Sequence, residues 1–162
     1  MSSPLEERLQ QMEARVRNLE NIEHVRRVLG QYCKALDARD AQAMAALFSR
    51  DAQLVVVPWK LDITGHKAVM EFFVQYFQSD WKEPRHNYAN EYITPEANGY
   101  HSFCYFHETL SRGNDSVIGW GTWEDRLALE DGRWKIGRRL ITVMALTPIT
   151  RGWAMADKIM PL

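Results

Sequence analysis

The chain has 162 residues, 46% of them apolar and 25% charged, with 20 Lys and Arg against 21 Asp and Glu. That length and apolar share fit one compact domain and exclude a disordered chain. A net charge of −1 speaks against nucleic acid as a partner, and no apolar run is long enough for a membrane span.

The N-terminus, MSSPLEERLQQMEARVR, is charged and has no signal-peptide core. Two cysteines, Cys33 and Cys104, cannot build a disulfide framework or a zinc cluster. They read as buried thiols, so a cytoplasmic location is expected. The six Trp, six Tyr, six Phe and seven Met stand out. They suggest either a heavy core or a pocket for a flat, apolar ligand.

Residues 5–36 carry a helical pattern. Leu5, Leu9, Met12, Val16 and Leu19 follow the four–three spacing of a coiled-coil seam. After Leu19 the register shifts to Ile22, Val25, Val28 or Leu29, Tyr32 and Leu36. Five acids and five bases over residues 6–27 mark a solvated opposite face. A seam of two heptads is short for an autonomous coiled coil, so it is expected to cap the domain or pack on a neighbouring subunit. Asp40 is placed to N-cap a short helix, AQAMAALF. AQLVVVPW (52–59) reads as a strand, and a third helix, HKAVMEFFVQYFQ, follows Gly65. From residue 85 the period changes to two, predicting strands at 85–94, 100–111, 116–130 and 133–146. The turns PEANG, RGND and EDG separate them. Helices first and an antiparallel meander second define an α+β fold, with residues 1–20 as a helical extension, 21–147 as the domain and 148–162 as a tail.

Alternation groups side chains by face. His86, Tyr88, Asn90 and Tyr92 are expected on one face of strand 85–94. On strand 100–111, His101, Phe103, Tyr105, His107 and Thr109 share one face; Tyr100, Ser102, Cys104, Phe106 and Leu110 share the other, with Glu108 its only charged residue. Both faces are aromatic, so composition leaves the inward one open. A hairpin turning near Asn98 allows His86 and His107 to converge. His101 and His107 lie roughly 20 Å apart along a strand at about 3.3 Å per residue and cannot share an ion. His86, His107 and Asp37 could make a facial metal site, but no metal-binding motif is present, and a metal-free, cofactor-independent acid–base site fits better. Asp37 ends its helix where the macrodipole disfavours a carboxylate, which calls for a partner or a role. Arg138 aligns with Trp134, Ile136 and Leu140, so its charge needs Asp125, Glu124 or an anionic ligand. No nucleophile elbow or phosphate loop is present.

The segments IEHVRRVLGQYCKALDARDAQAMAALFSRDA (22–52), RHNYANEYI (85–93) and WEDRLALEDGRWKIGRR (123–139) resemble the NTF2-like superfamily, in its SnoaL-like branch. The resemblance implies a cone: a curved, mostly antiparallel sheet wrapped on three helices. Within the superfamily it points to two dehydratase types, scytalone dehydratase and bile-acid 7α-dehydratase. Tyr32 and Asp37 keep the separation of the bile-acid enzyme's tyrosine and aspartate. His86 sits where both types place a histidine, and His107 matches the second histidine of scytalone dehydratase. That match selects the odd face of strand 100–111 as inward. The sequence departs from scytalone dehydratase at Leu36, where that type carries a tyrosine. It departs from the bile-acid enzyme at Val143, where the match places its catalytic arginine, a role left vacant or passed to Arg138.

Together these residues suggest elimination from an apolar, hydroxylated aromatic or polycyclic substrate, losing water or a small aldehyde. His86 moves the proton, Asp37 orients it, Tyr32 hydrogen-bonds the substrate oxygen and His107 assists the leaving group. Asn90, Tyr105, Phe103, Tyr88, Arg138 and Trp59 are the expected substrate contacts. An isomerase or polyketide-type cyclase needs the same acid–base pair, and a noncatalytic ligand-binding module is the third reading. An apolar even face on strand 100–111, if convex, predicts a homo-oligomer, with a trimer favoured over a dimer by the resemblance.

Overall fold

A computed structural model describes residues 3–154 and 157–160. Residues 1, 2, 155, 156, 161 and 162, at the ends of the expected extension and within the expected tail, lie outside the described residues.

The first helix, α1 (Pro4–Ala38), is continuous through the seam and into the domain. A capping box starts it: the Ser3 hydroxyl accepts from the Glu6 N–H, and the Ser3 N–H donates to the Glu6 carboxylate. Arg39, left-handed at φ 53°, ends it. Asp40 then caps α2 (Ala41–Leu47) by accepting from the Ala43 N–H at 2.9 Å. The chain continues through β1 (Phe48–Val57), β2 (Leu61–Thr64), α3 (His66–Phe77), β3 (Trp81–Glu96), β4 (Gly99–Arg112), β5 (Asp115–Glu130) and β6 (Arg133–Pro148). Strand β2 was not expected, because four residues with alternating exposure carry too weak a pattern. It hairpins onto β1.

The six strands form one sheet in the order β2-β1-β6-β5-β4-β3. Only β1 and β6 run parallel; the other neighbours are antiparallel. The α+β class and the mostly antiparallel sheet over three helices therefore hold. The core fills the space between the inner face of the sheet and the apolar stripe of α1, with α3 across it. Beyond Val57, where β1 parts from β6, residues 158–160 take the vacated edge. The Leu146 N–H donates to the Lys158 carbonyl, and the Met160 N–H to that of Leu146. This gives the described part of the apolar tail its place.

Two irregularities decide which side chains point inward. On β3, Tyr92 pairs with Phe103 but Ala89 pairs with Tyr105, so two residues, Asn90 and Glu91, oppose one. Asn90 has φ 55°, as a bulge position favours. On β6, Leu127 faces Ile136 while Arg126 faces Arg138, leaving Gly137 as the extra residue. Each bulge shifts the alternation by one. Ile136 and Arg139 therefore both point inward, and Arg138 is turned out, where its Nε donates to Gln53 at 3.2 Å. The expected pairing of Arg138 with Asp125 is thus corrected.

Arg139 takes that partner instead. Its Nε and Nη2 each donate to Asp125 at 2.7 Å, and neither residue's side chain has any exposure. Its guanidinium also lies 3.6 Å from the Tyr32 ring centroid and 4.8 Å from that of Trp123. Burial opposes the guanidinium charge, but Asp125 more than restores it and raises the pKa further. Removing one member strands the other charge in the core. Asp125→Ala should lower unfolding free energy by about 3–5 kcal/mol, whereas Arg138→Ala should stay within about 0.5 kcal/mol; urea denaturation of the two variants checks the contrast.

Candidate active site

Inside the cone a cavity of about 60 Å³ lies between α1, α3 and the sheet. Its walls are almost wholly aromatic and aliphatic, including Tyr32, Trp59, Phe73, Trp81, Phe106 and Trp123. Besides the phenols of Tyr32 and Tyr76, its ionisable groups are His86 and Glu108.

Asp37, in the last turn of α1, grips His86 twice. Its carboxylate accepts the His86 backbone N–H at 3.1 and 3.2 Å, and its Oδ1 lies 2.7 Å from Nδ1 of the ring. This is the partner that the unfavourable helix position required. On the other side of the ring, Nε2 lies 2.9 Å from Oε2 of Glu108. The imidazole, 4% exposed, is therefore held at both nitrogens by carboxylates. It also lies over Trp123, which stacks on Phe106 with centroids 5.0 Å apart. Burial works against the imidazolium, but the bonds to Asp37 and Glu108 outweigh it and push the pKa up to about 9. At neutral pH His86 is a cation between two carboxylates.

Glu108 has its place because β5 is glycine at the facing position. Glu108 pairs with Gly119, where a Cβ would come within 2.7 Å of Oε1 and 2.9 Å of Cγ. Two residues on, a Cβ at Gly121 would meet the Thr142 carbonyl oxygen at 1.9 Å and the Phe106 ring at 2.8 Å. The floor under the acid and its aromatic neighbour is thus cleared by G-W-G.

The other expected site residues divide. Tyr32 lines the cavity with its ring against Arg139, and burial pushes its hydroxyl up to about 12, so it stays protonated. Trp59 reaches the cavity and donates from Nε1 to the Met160 carbonyl at 3.2 Å. Tyr88 shares the inner face with His86, but its hydroxyl donates to the Arg26 carbonyl of α1, outside the cavity. Asn90 is exposed at the bulge, and Tyr92 beyond it is 67% exposed.

The inward face of β4 is the even one: Tyr100, Ser102, Cys104, Phe106, Glu108 and Leu110 are all buried. The reading from the odd face is corrected accordingly. His107, Tyr105 and Phe103 lie on the outer surface, and none of them lines the cavity. His107 therefore cannot join His86 and Asp37 in a metal triad. Asp37 and Glu108 flank opposite nitrogens of His86, and among the described residues no group of three such side chains is arranged to hold a metal ion. The apolar even face, expected as an interface between subunits, is the core. Both cysteines are buried and free, with burial pushing Cys33 up to about 11 and Cys104 up to about 12.

Glu108 is the residue the sequence reading missed. The signal was present: a lone acid on an otherwise apolar strand face, beside glycines in the following strand. A buried acid on such a face needs a cationic partner, and His86 is that partner.

Residues 17–140 match the SnoaL-like domain family, and the chain belongs to it. No curated protein matches the sequence at a significant level. Among solved structures, a candidate scytalone dehydratase from Novosphingobium aromaticivorans has a TM-score of 0.74 at 20% identity, covering 90% of this chain and 95% of that one. A hexachlorocyclohexane dehydrochlorinase, LinA type 2, has a TM-score of 0.70 at 15% identity, covering 91% and 95%. A candidate aromatic ring hydroxylase, also from N. aromaticivorans, has a TM-score of 0.70 at 21% identity, covering 80% and 94%. At such low identities the TM-scores show a shared fold alone, and one fold hosts many functions. No helix among the described residues is long and apolar enough to cross a membrane.

The raised pKa of His86 is also a statement about stability. Its stabilising contribution is complete below the unfolded value of 6.5 and is lost as pH rises through about 9. Unfolding free energy measured between pH 6.5 and 9 should therefore fall in the parent protein and fall less in Glu108→Gln. Gly119→Ala, which pushes the Glu108 carboxylate aside, should lower the His86 pKa seen by NMR without removing any ionisable group.

Proposed function

We propose that the chain is a cofactor-independent lyase that eliminates water, or a comparably small leaving group, from an apolar hydroxylated aromatic substrate. The observation that carries this reading is the imidazole of His86 held between two carboxylates at the wall of an otherwise apolar cavity. Elimination needs a base for a carbon-bound proton and an acid for the departing oxygen, both in reach of one substrate. Glu108 and Nε2 of His86 provide such a pair.

Glu108 takes the proton from carbon, and the freed electron pair forms the C=C bond. The C–O bond breaks toward oxygen, which receives the Nε2 proton of His86 and leaves as water. Passage of the proton from Glu108 to Nε2 restores the starting state. Asp37, bound to Nδ1, fixes the ring's orientation and stabilises its charged form. Tyr32 donates a hydrogen bond to a substrate carbonyl and stabilises the enolate that develops there. The names of two structural neighbours, a candidate dehydratase and a dehydrochlorinase, are in keeping with elimination.

The cavity's 60 Å³ is less than half the roughly 150 Å³ that accommodates a benzene molecule. A ring-sized substrate therefore requires its walls to part; Trp59, one of the lining residues, is tied to the Met160 carbonyl by its Nε1–H.

A β-hydroxy aryl ketone tests the proposal. 3-Hydroxy-1-tetralone should lose water to give 1-naphthol, read by mass and fluorescence. His86→Ala and Glu108→Gln should each reduce that rate by about 10²–10⁴-fold, and exhaustive chelation should leave it unchanged. Unaltered turnover in His86→Ala would overturn the proposal. Deuterium uptake at carbon without loss of mass would favour an isomerase instead, and binding without either change a noncatalytic module.

A further inference from the structure

The first half of α1 buries nothing. Leu5, Leu9, Met12, Val16 and Leu19 are between 52% and 76% exposed. The helix first touches the domain at Asn18 and Asn21, whose side-chain carbonyls accept from the Tyr100 hydroxyl and the Trp134 indole. Before that point an apolar stripe at coiled-coil spacing projects into solvent, so the seam does not cap its own domain.

The charges beside the stripe are ordered. With Leu5, Met12 and Leu19 at d positions and Leu9 and Val16 at a positions, the g positions are Arg8 and Arg15. The e positions are Glu6, Glu13 and Glu20. In a parallel, in-register pair each g residue faces the e residue five positions on in the other helix. Arg8 then meets Glu13 of the second copy, and Arg15 meets its Glu20, on both sides of the seam. An antiparallel pair sets arginine against arginine and glutamate against glutamate. Among the described residues, Arg8, Arg15, Glu13 and Glu20 take part in no ion pair within the chain. Leu5, Met12 and Leu19, none branched at Cβ, at the d positions, with β-branched Val16 at an a position, suit two strands.

The direction of the stripe leaves room for the partner. The domain buries Val25, Val28, Leu29, Tyr32 and Leu36 of the same helix. At 3.6 residues per turn, that stripe and the seam point about 160° apart. A helix laid on the seam approaches from the side away from the domain.

We propose that residues 5–19 of α1 pair with the same segment of a second copy as a parallel, in-register, two-stranded coiled coil, held in register by Arg8–Glu13 and Arg15–Glu20. This replaces the expected trimer through a convex sheet face by a dimer through the helix.

Two charge-swapped full-length chains test it by sedimentation equilibrium at about 10–100 μM, with far-UV circular dichroism as the control for folding. The first carries Arg8→Glu and Arg15→Glu; the second carries Glu13→Arg and Glu20→Arg. The parent chain should sediment at twice its 18.9 kDa. Each swapped chain alone should associate at least tenfold more weakly, and an equimolar mixture should recover the dimer. Oxidised Val16→Cys should cross-link at the a position as a covalent dimer. A parent chain at monomer mass, a trimer, or an assembly indifferent to both swaps would overturn the proposal. If the swapped chains dissociate but Val16→Cys does not cross-link, the parallel register is wrong.

Discussion

His86 is charged and almost completely out of water, and the architecture around the cavity is arranged to permit that. Asp37 holds its backbone N–H and its Nδ1 together, which fixes the C-terminal end of α1 against β3. Arg39, next in the chain after α1, donates to the Phe77 carbonyl and ties the end of α3 to the same corner. Glu108 closes the other side from β4. An imidazolium with one carboxylate at each nitrogen carries a net charge of −1 in apolar surroundings. Removing either acid leaves a buried group underbonded, a cost well above that of a surface ion pair. The three groups therefore act as a unit, storing one proton that can move along a line of short bonds.

Part of what the sequence made legible followed from unbroken periodicity: the cap at Asp40 and the core stripe of α1. The Asp37–His86 association followed from the resemblance, since His86 lies on β3 between two register shifts. Two inserted residues set which faces turn inward, where the odd-face reading had followed the resemblance at His107 and the Arg138 reading plain alternation. Without the bulge at Asn90, the pairing of Glu96 with Gly99, carried back along the hairpin, sets His86 opposite Thr109 and puts the odd face inward. With it, His86 stands opposite Glu108. The bulge at Gly137 likewise exchanges Arg138 for Arg139 as the buried cation. Alternation propagates any such insertion along the rest of a strand, so one residue inverts a whole face. Asn90 and Gly137 are both types that tolerate bulge geometry, but a bulge is set by pairing with a neighbouring strand and leaves little trace in its own.

Behind the cavity, the ion pair of Arg139 and Asp125 serves packing as much as charge. The guanidinium spreads over Tyr32 and approaches Trp123, and both rings also form cavity walls. A planar cation is suited to that position, because it can stack on an aromatic face and chelate a carboxylate at once. Trp123 in turn supports both Phe106 and the His86 ring. The orientation of the acid–base groups thus rests on a chain of contacts that begins at a buried charge on β6.

The two halves of α1 obey different constraints, and the switch between them is sharp. Up to Leu19 the apolar residues follow a 3.5-residue seam; from Ile22 they follow the face buried in the domain, nearly opposite. A helix amphipathic on one side only could be explained by the domain alone. Here the outer stripe lies where the domain cannot reach it, flanked by arginines on one edge and glutamates on the other. A merely solvated helix has no need of apolar residues at five successive seam positions, each exposing surface that water disfavours. The same continuous helix carries Tyr32 and Asp37 to the cavity. Its projecting half can therefore pair with a second copy without displacing either residue, because the contacts at Asn18 and Asn21 hold the helix to its own domain between the two.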